Sequence, residues 1–504
     1  MKYSFLLAIL LVIPFTSIKS EDYQSPRKLI IAGKVTNYDH AKDVIELSIN
    51  QPGFNQESIS IEIDSLGRFS TAFEIYRPTD AWLMYKTNFL VLIHPGDSIY
   101  VEFDGKPGDR PSILKSIEFS GDAAKSNRDA AVFQFRYFSD PLYWDWKKEE
   151  RAIKEYDTDR YLVYLDSVRQ ERRKMYRKFI SDIKPDNETK IWASTFVEFD
   201  YYNSLNYYPN NHRRANNLNK EQWKVPVSYF DALKKWSPMT EPMIISGYAM
   251  SCFTNIFRYG YSWTKIMEGD EIKKYETAPG VITTPSGVMD SLLFYGNIKY
   301  TSDPLLRQLV LTEMFSEDFK SGSISYYEKN RETIDNYITL PYLKNNLSAQ
   351  YIQTKQRIEN PKIYSESVLR KLENSSAKEI LDSVIFSNKG KVVYIDCWAT
   401  WCGPCRAEMH NSRILAKQME GKDVSFVYLC LDSEEYNWKA CLDEFRLKGQ
   451  HYFLSKKQSA DLRSALDVRG VPHYVILDKK GLIVEGSNLR PNEAKAKIEE
   501  LIRQ

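Results

Sequence analysis

Two cysteines near the C-terminal end of the chain, Cys402 and Cys405, have the Cys-X-X-Cys spacing of a thiol pair that can exchange disulfides. The apolar residues 391–398 predict a buried strand, and the segment from Pro404 toward Met419 predicts a helix with Cys402 at its N-terminus. The helix dipole and unpaired amides favour a thiolate there, and the pKa of such cysteines falls to about 3.5–7.5. We therefore predict that Cys402 attacks and that Cys405, one turn further along the helix, resolves the mixed disulfide.

An acidic residue, Asp396, lies on the same apolar strand, six residues before Cys402. A carboxylate at such a position is unfavourable unless its proton chemistry is used, because burial penalises the charged form. A buried Asp396 with a raised pKa can accept the proton of Cys405 during resolution. The alternative is an aspartate at the strand end that is hydrogen-bonded to solvent, but the spacing to the cysteine pair favours proton transfer.

Strands that alternate with helices follow the cysteine pair and predict a central sheet. Residues 424–432 and 470–477 are the next apolar strands, with helices predicted over 434–448 and 461–468. Pro472 at the start of a strand requires a cis bond or a sheet edge, and either would leave the backbone of Val471 free to bind a substrate strand. A hairpin turn at 478–481 into a strand at 482–485 and a helix over 492–502 complete the domain.

These features together resemble the thioredoxin superfamily over residues 377–504. The residues that carry the resemblance are Trp401-Cys402-Gly403-Pro404-Cys405, Asp396 and Val471-Pro472. Within the superfamily, Arg406-Ala407-Glu408-Met409, the extra helix and the strand at 451–454 are similar to exported TlpA/ResA-like reductases. The stretch Phe119-Ser120-Gly121-Asp122-Ala123-Ala124 after a β-rich unit is similar to the N-terminal regions of larger TlpA-like proteins of Bacteroidetes-type bacteria.

The resemblance implies a role for each matching position. Cys402 is the nucleophile, Cys405 the resolving thiol and Asp396 the buried proton acceptor, while the substrate contacts are Trp401, Val471 and a cis-proline at Pro472 that faces the pair. Two histidines depart from the family pattern, because His410 replaces a helix-kinking proline and His473 replaces a threonine after the cis-proline. Both could tune the thiolate, or His410 could face solvent and His473 could be a satisfied strand residue.

The preceding part of the chain divides into a β-rich and a helical segment. We predict a β-sandwich-like domain at 26–119, an α-helical domain at 121–358, a linker at 359–376 and an α/β thioredoxin-like domain at 377–504. The predicted strands of the first domain are residues 29–36, 44–49, 59–63, 69–75, 81–85, 89–93 and 99–103.

The N-terminus has the layout of a secretory signal, with Lys2, an apolar run over 5–15 and polar residues around Ser20. We predict a cleaved signal peptide at 1–20 and a soluble protein of the periplasm or cell envelope. The apolar run is shorter than the ~20 residues that span a bilayer, so a membrane anchor is the weaker alternative.

Composition excludes several other classes of protein. With 69 basic and 67 acidic residues, the chain has no general attraction to nucleic acid. Five of the 6 cysteines lie after residue 396, which is local chemistry rather than a disulfide-stapled fold. A zinc site needs a second ligand pair, and the scattered Cys397, Cys430 and Cys441 do not provide one. A thioredoxin-fold peroxidase would use a lone cysteine and not a Cys-X-X-Cys pair.

The predicted function is that of an exported thiol:disulfide oxidoreductase, with no cofactor beyond the Cys402–Cys405 disulfide itself. Gly403-Pro404 favours a reductant, although the direction of electron flow stays open because the sequence does not give the reduction potential. A reductant in an oxidising compartment needs a membrane thiol electron donor, and its partners would be disulfide-containing client proteins. The alternative is a partner-binding or scaffold protein in which the N-terminal domains carry the main role.

Overall fold

The computed structural model describes residues 23–40, 42, 44–219, 222–226, 228–231, 238–278, 281–282, 284, 287–372, 375–484 and 488–504. The predicted signal peptide at 1–20 lies outside these residues. The chain forms two compact units: one comprises the chain up to Leu311 together with Tyr337–Asn346, and the other comprises Thr312–Asn336 and Leu347–Gln504. The finer division into three domains and a linker stays a prediction.

The first unit begins with two four-stranded sheets that share one apolar core. The sheet orders are β4-β1-β7-β8 and β3-β2-β5-β6. Leu29, Leu47 and Val101 are among the buried side chains of this core. The strands are β1 (Arg27–Thr36), β2 (Val44–Ile49), β3 (Glu57–Glu62), β4 (Arg68–Ile75), β5 (Thr79–Met84), β6 (Asn88–Ile93), β7 (Ser98–Asp104) and β8 (Glu118–Gly121).

The seven strands predicted from alternating apolar residues are all present, and their ends agree to within two residues. A Cβ on Gly33 would lie 2.0 Å from the carbonyl oxygen of Val101, so the close approach of β1 and β7 requires glycine at this position. The prediction of an all-β segment missed helix α1 (Arg110–Ser116), which begins at the cap Asp109 and buries Ile113 and Leu114. Seven residues are too few for a helical period to stand out.

Helices dominate the middle of the chain, as predicted, and most of them belong to the first unit. Phe133, Phe179 and Trp192 are in the core of this region. The elements are α2 (Ala124–Ser139), α3 (Trp146–Glu155), α4 (Thr158–Ile183), α5 (Asn187–Ala215), a 3₁₀ turn (Glu241–Ile245), α6 (Gly247–Asn255), a π-helix (Ile256–Ser262), α7 (Trp263–Met267), α8 (Asp270–Lys273), β9 (Glu276–Ala278), β10 (Val281–Ile282), α9 (Val288–Tyr300), α10 (Pro304–Ser321), α11 (Ser325–Lys329), α12 (Arg331–Tyr337) and α13 (Pro341–Glu359).

The C-terminal part of the second unit is a five-stranded sheet with helices on both faces. Its order is β11-β14-β13-β12-β15, in which β15 is antiparallel to β12 and the other neighbours are parallel. The elements are β11 (Ser367–Arg370), α14 (Ala377–Ser387), β12 (Val392–Trp398), α15 (Gly403–Gln418), β13 (Val424–Cys430), α16 (Glu435–Phe445), β14 (Gly449–Phe453), α17 (Lys456–Ala465), β15 (His473–Leu477) and α18 (Pro491–Arg503).

Strand β12 is buried along its whole length and supplies side chains to both faces of the sheet. Tyr394 and Trp398 pack with residues of α15, α16 and α18. Ile395 and Cys397 pack on the opposite face with residues of α14 and α17. The alternation of side chains along a strand therefore directs even-numbered residues of β12 toward the helix that begins at the cysteine pair.

Three local predictions for the C-terminal part differ from the structure. The helix predicted at 461–468 spans Lys456–Ala465. The predicted linker at 359–376 contains strand β11, whose Val368 and Leu369 are both exposed and therefore do not show the alternating pattern of a half-buried strand. The predicted strand at 482–485 is reduced to one bridge between Leu477 and Ile483, and residue 485 lies outside the described residues. In the part of the chain that the structure describes, no helix has the length and apolarity needed to cross a membrane.

Candidate active site

Cys402 and Cys405 form a disulfide at the N-terminus of α15, with their Cα atoms 5.3 Å apart. Cys402 is the N-cap residue, and the backbone N–H of Cys405 donates a hydrogen bond to Cys402 Sγ over 3.1 Å. Cys402 is 4% exposed and Cys405 is 1% exposed. The same amide and the helix dipole would stabilise a thiolate on Cys402, which makes Cys402 the better nucleophile and leaves Cys405 as the enclosed partner.

The loop before the disulfide is held by the loop that follows β13. The N–H of Thr400 donates to Ser433 Oγ over 3.0 Å, and Trp401 Nε1 donates to the carbonyl of Asp432 over 2.8 Å. The indole is nevertheless 57% exposed. Trp401 thus presents an apolar surface directly beside Cys402 while its polar end is fixed.

Asp396 lies in the interior of β12, on the face that packs against α15. Burial, and to a smaller extent the negative charge of Glu408, raise its pKa to about 8, while the nearby hydroxyl of Ser412 opposes the shift. Within the described residues neither carboxyl oxygen of Asp396 has a hydrogen-bond partner. A carboxyl group with this pKa is mostly protonated at neutral pH and can exchange a proton near pH 8, as a general acid and base requires.

Glu408 is an acidic residue of the site to which the sequence reasoning gave no role. It lies on α15 three residues after Cys405, and its largely buried side chain forms a 2.5 Å ion pair with Arg490. The spacing of three residues places Glu408 on the same helix face as Cys405, and this spacing could have identified Glu408 as a site residue from the sequence. The contact with Arg490, 82 positions away in sequence, could not be read from that spacing.

The Val471–Pro472 peptide is cis and precedes β15 at the edge of the sheet. Val471 packs against the apolar cluster that includes both Cys402 and Cys405. The structure therefore brings the predicted substrate-contact residue Val471 into the packing around the disulfide, while Trp401 directly precedes Cys402 in the chain.

Residues 374–502 match the family model described as Redoxin. This part of the chain is a redoxin domain. It is similar to the thiol-disulfide oxidoreductase ResA of Bacillus thuringiensis subsp. konkukian, with 24% identity over 116 residues that cover 23% of this chain and 64% of ResA. It is also similar to the thioredoxin-like protein YneN of Bacillus subtilis, with 34% identity over 97 residues that cover 19% of this chain and 55% of YneN.

Among solved structures, the thioredoxin domain of a thiol-disulfide oxidoreductase from Bacteroides vulgatus is 24% identical to the redoxin domain. The alignment covers 23% of this chain and 84% of that chain, with a TM-score of 0.22. The matched part of this chain spans less than two thirds of the length of ResA and of YneN, the two relatives described above.

The remaining cysteines of the redoxin domain are buried free thiols on β12, β13 and α16. Burial raises the pKa values of Cys397, Cys430 and Cys441, the last of them to about 11. A raised pKa disfavours the thiolate, so these residues lack the activation that Cys402 receives from its helix. Across the described ranges, no group of three or more His, Cys, Asp and Glu residues could hold a metal ion.

The two histidines of the redoxin domain have different environments. His410 is exposed on α15. His473 is half-buried at the start of β15, where burial lowers its pKa and Asp467 opposes the change. His473 is therefore mostly neutral at pH 7 and does not add a positive charge to the site.

Proposed function

We propose that this protein is a thiol:disulfide oxidoreductase that reduces disulfides of client proteins through Cys402 and Cys405. The observation that carries the proposal is the disulfide at the N-terminus of α15, with the N–H of Cys405 donating to Cys402 Sγ. The buried Asp396 on the facing strand supplies the proton acceptor that resolution requires. The similarity of the redoxin domain to ResA supports the same chemistry.

The cycle begins with the reduced pair. The Cys402 thiolate attacks a client disulfide, so that a Cys402–client disulfide forms and the other client sulfur leaves as a thiolate, which takes a proton from solvent. Cys405 then gives its proton to the carboxylate of Asp396, and the resulting thiolate attacks Cys402 Sγ. The second client sulfur leaves, the Cys402–Cys405 disulfide forms, and two electrons have passed to the client. Asp396 returns its proton to solvent.

We further propose that the cycle takes place in the periplasm or cell envelope. The N-terminal sequence, with Lys2 before an apolar run and polar residues around Ser20, supports export and cleavage. In such an oxidising compartment a membrane thiol donor returns two electrons to the Cys402–Cys405 disulfide. N-terminal sequencing of the protein purified from an envelope fraction tests this part: a mature chain that begins near residue 21 supports export, and an intact Met1 contradicts cleavage.

The test of the chemistry is the reduction potential of the cysteine pair, measured in the mature full-length chain by equilibration with dithiothreitol or glutathione. A potential of roughly −270 mV, the value of thioredoxin, supports a reductase, and a potential of about −120 mV indicates an oxidase. Cys402→Ser must abolish the titration, whereas the matched variant Cys252→Ser, which removes a thiol far from the pair in sequence, must retain it.

A trapping experiment tests the order of the two cysteines. Cys405→Ser leaves Cys402 able to attack but removes the resolving thiol, so this variant should accumulate disulfide-linked clients that dithiothreitol releases. Cys402→Ser should trap none. Equal trapping by both variants contradicts the proposed roles. The absence of any titratable pair, together with tight partner binding by Cys402→Ser, would support a scaffold function instead.

A further inference from the structure

Asp396 is flanked by a tyrosine on each of the two neighbouring strands. In the sheet register, Asp396 pairs with Tyr428 on β13 and with Tyr474 on β15. Both tyrosines are buried, and their side chains lie in the same packed cluster as Cys402 and Cys405. Paired residues of adjacent strands point to the same side of a sheet, so the two tyrosines bracket the carboxyl group on its own face.

The hydroxyl groups of these tyrosines are not used by the surrounding structure. Within the described residues, Tyr428 Oη and Tyr474 Oη are buried without hydrogen-bond partners. A third tyrosine, Tyr394, is different because its hydroxyl donates to the carbonyl of Leu489 over 2.8 Å. Buried hydroxyls in proteins are nearly always hydrogen-bonded, so unpaired ones beside an unpaired carboxyl group call for a functional explanation.

The two rings are held in place by stacking. Tyr428 stacks on His451 with ring centroids 4.6 Å apart and an interplanar angle of 8°. Tyr474 stacks on Tyr394 with centroids 5.7 Å apart and an angle of 20°. Stacking uses the faces of the rings and not their hydroxyls, so each Oη stays available to an acceptor.

The ionisable and polar groups that interact with Asp396 come from α15 and from the three strands β12, β13 and β15. Glu408 and Ser412 lie on α15, Tyr394 and Cys397 on β12, and the two bracketing tyrosines on β13 and β15. Glu408, paired with Arg490, can only repel a second negative charge. Burial and the charge of Asp396 keep the pKa values of both bracketing tyrosines above their usual value, so both hydroxyls retain their protons and remain donors.

We propose that Tyr428 and Tyr474 are positioning residues that donate hydrogen bonds to Asp396 when its carboxyl group is ionised. They thereby increase the fraction of molecules in which Asp396 is ionised and can accept the Cys405 proton. This inference rests on the proposed function and deepens it. A hydrogen bond to a carboxylate is charge-assisted and stronger than one to the neutral acid, so protonation of Asp396 releases the donors. The proton moves from Cys405 Sγ to Asp396, and the tyrosines keep theirs.

The experiment measures the ionisation of Asp396 directly in the full-length oxidised chain. The protein is labelled with ¹³C at the aspartate carboxyl carbons, and the Asp396 resonance is assigned by its loss in Asp396→Asn. Tyr428→Phe and Tyr474→Phe should each reduce the ionised fraction of Asp396 at pH 7 about tenfold, because each removes one donor to the charged form. The double variant should reduce it further.

Tyr394→Phe is the matched control, since it removes a tyrosine hydroxyl from the same face that is already bonded to Leu489. This control should lower the melting temperature and leave the titration of Asp396 unchanged. The pH profile of single-turnover reduction of an insulin disulfide provides a second readout, because its ascending limb should move to higher pH in the two bracketing variants only.

An unchanged Asp396 titration in the double variant overturns the inference, and so does an equal shift in Tyr394→Phe. The outcomes also separate this inference from the proposed function. If the wild-type chain reduces insulin but the titration does not respond to the tyrosines, the inference alone fails. If the titration responds but the wild-type chain reduces no disulfide, the function fails and the hydrogen bonds remain.

Discussion

Replacement of Asp396 by asparagine should make the redoxin domain more stable at neutral pH relative to its stability in acid. The substitution keeps the size of the side chain and removes its charge. The pKa of Asp396 is about 8 in the fold against an ordinary value of 3.8, chiefly because the group is buried. As the pH rises from 4 to 7, the unfolded chain therefore loses this proton while the folded chain keeps it.

The size of the effect follows from the difference between the two pKa values. Because the pKa is raised in the fold, the stabilisation that Asp396 gives is present below about pH 4 and is lost as the pH rises through the folded pKa. Between pH 4 and pH 7 the free energy of unfolding should fall by about 4 kcal/mol in the wild-type chain from this group alone. The asparagine variant lacks this contribution, and any penalty from burying its amide is the same at both pH values.

Hydrogen exchange of the β12 peptide, followed by mass spectrometry in the full-length oxidised chain, is a suitable assay. A protein of several units does not unfold in one step, and exchange reports the opening of one strand. The variant-to-wild-type ratio of exchange rates cancels the intrinsic pH dependence. Protection of β12 in Asp396→Asn, relative to wild type, should increase by about a factor of 10³ between pH 4 and pH 7. A ratio that stays constant over this range would refute the assignment of Asp396 as a buried acid with a raised pKa.

Two further substitutions test other charges in the structure. Glu408→Gln should lower the pKa of Asp396, because it removes the neighbouring negative charge that raises this pKa. Carboxyl ¹³C titration measures the pKa, and an unchanged value contradicts the electrostatic effect of Glu408 on Asp396. In the first unit, His94 forms hydrogen bonds with Asp97 over 2.9 Å and with Glu188 over 2.7 Å. Burial lowers the pKa of His94, but the two carboxylates outweigh it and raise the pKa to about 10. The stabilisation that protonated His94 gives to the fold is therefore complete below about pH 6.5 and is lost as the pH rises toward 10. His94→Gln should lower the melting temperature more at pH 6 than at pH 10, and an equal loss at both pH values contradicts the ion pairs of His94 with the two carboxylates.

Much of the fold could be predicted from the sequence because its signals are local. Alternation of apolar residues predicted β1 to β7 to within two residues, and the run at 391–398 predicted the buried strand before the cysteine pair. The elements that were missed are short or poorly patterned. Helix α1 has seven residues, and β11 exposes the two apolar side chains at its centre.

The sequence by itself determined the chemistry at the centre of the candidate site. The spacing of Cys402 and Cys405 fixes both thiols on one helical turn, and the position of Asp396 on an apolar strand makes it a buried acid, because 3.6-residue and two-residue periods are properties of the local backbone. None of these inferences needed to know which strands become neighbours.

Only the tertiary structure decided what surrounds Asp396. Tyr428 and Tyr474 lie 32 and 78 positions further along the chain, and they reach Asp396 through the pairing of β12 with β13 and β15. The ion pair of Glu408 with Arg490 likewise spans 82 positions. Strand order and register depend on the packing of the whole domain, and no period in the sequence encodes them. The acid was therefore readable from the sequence, whereas the groups that control its proton were visible only in the fold.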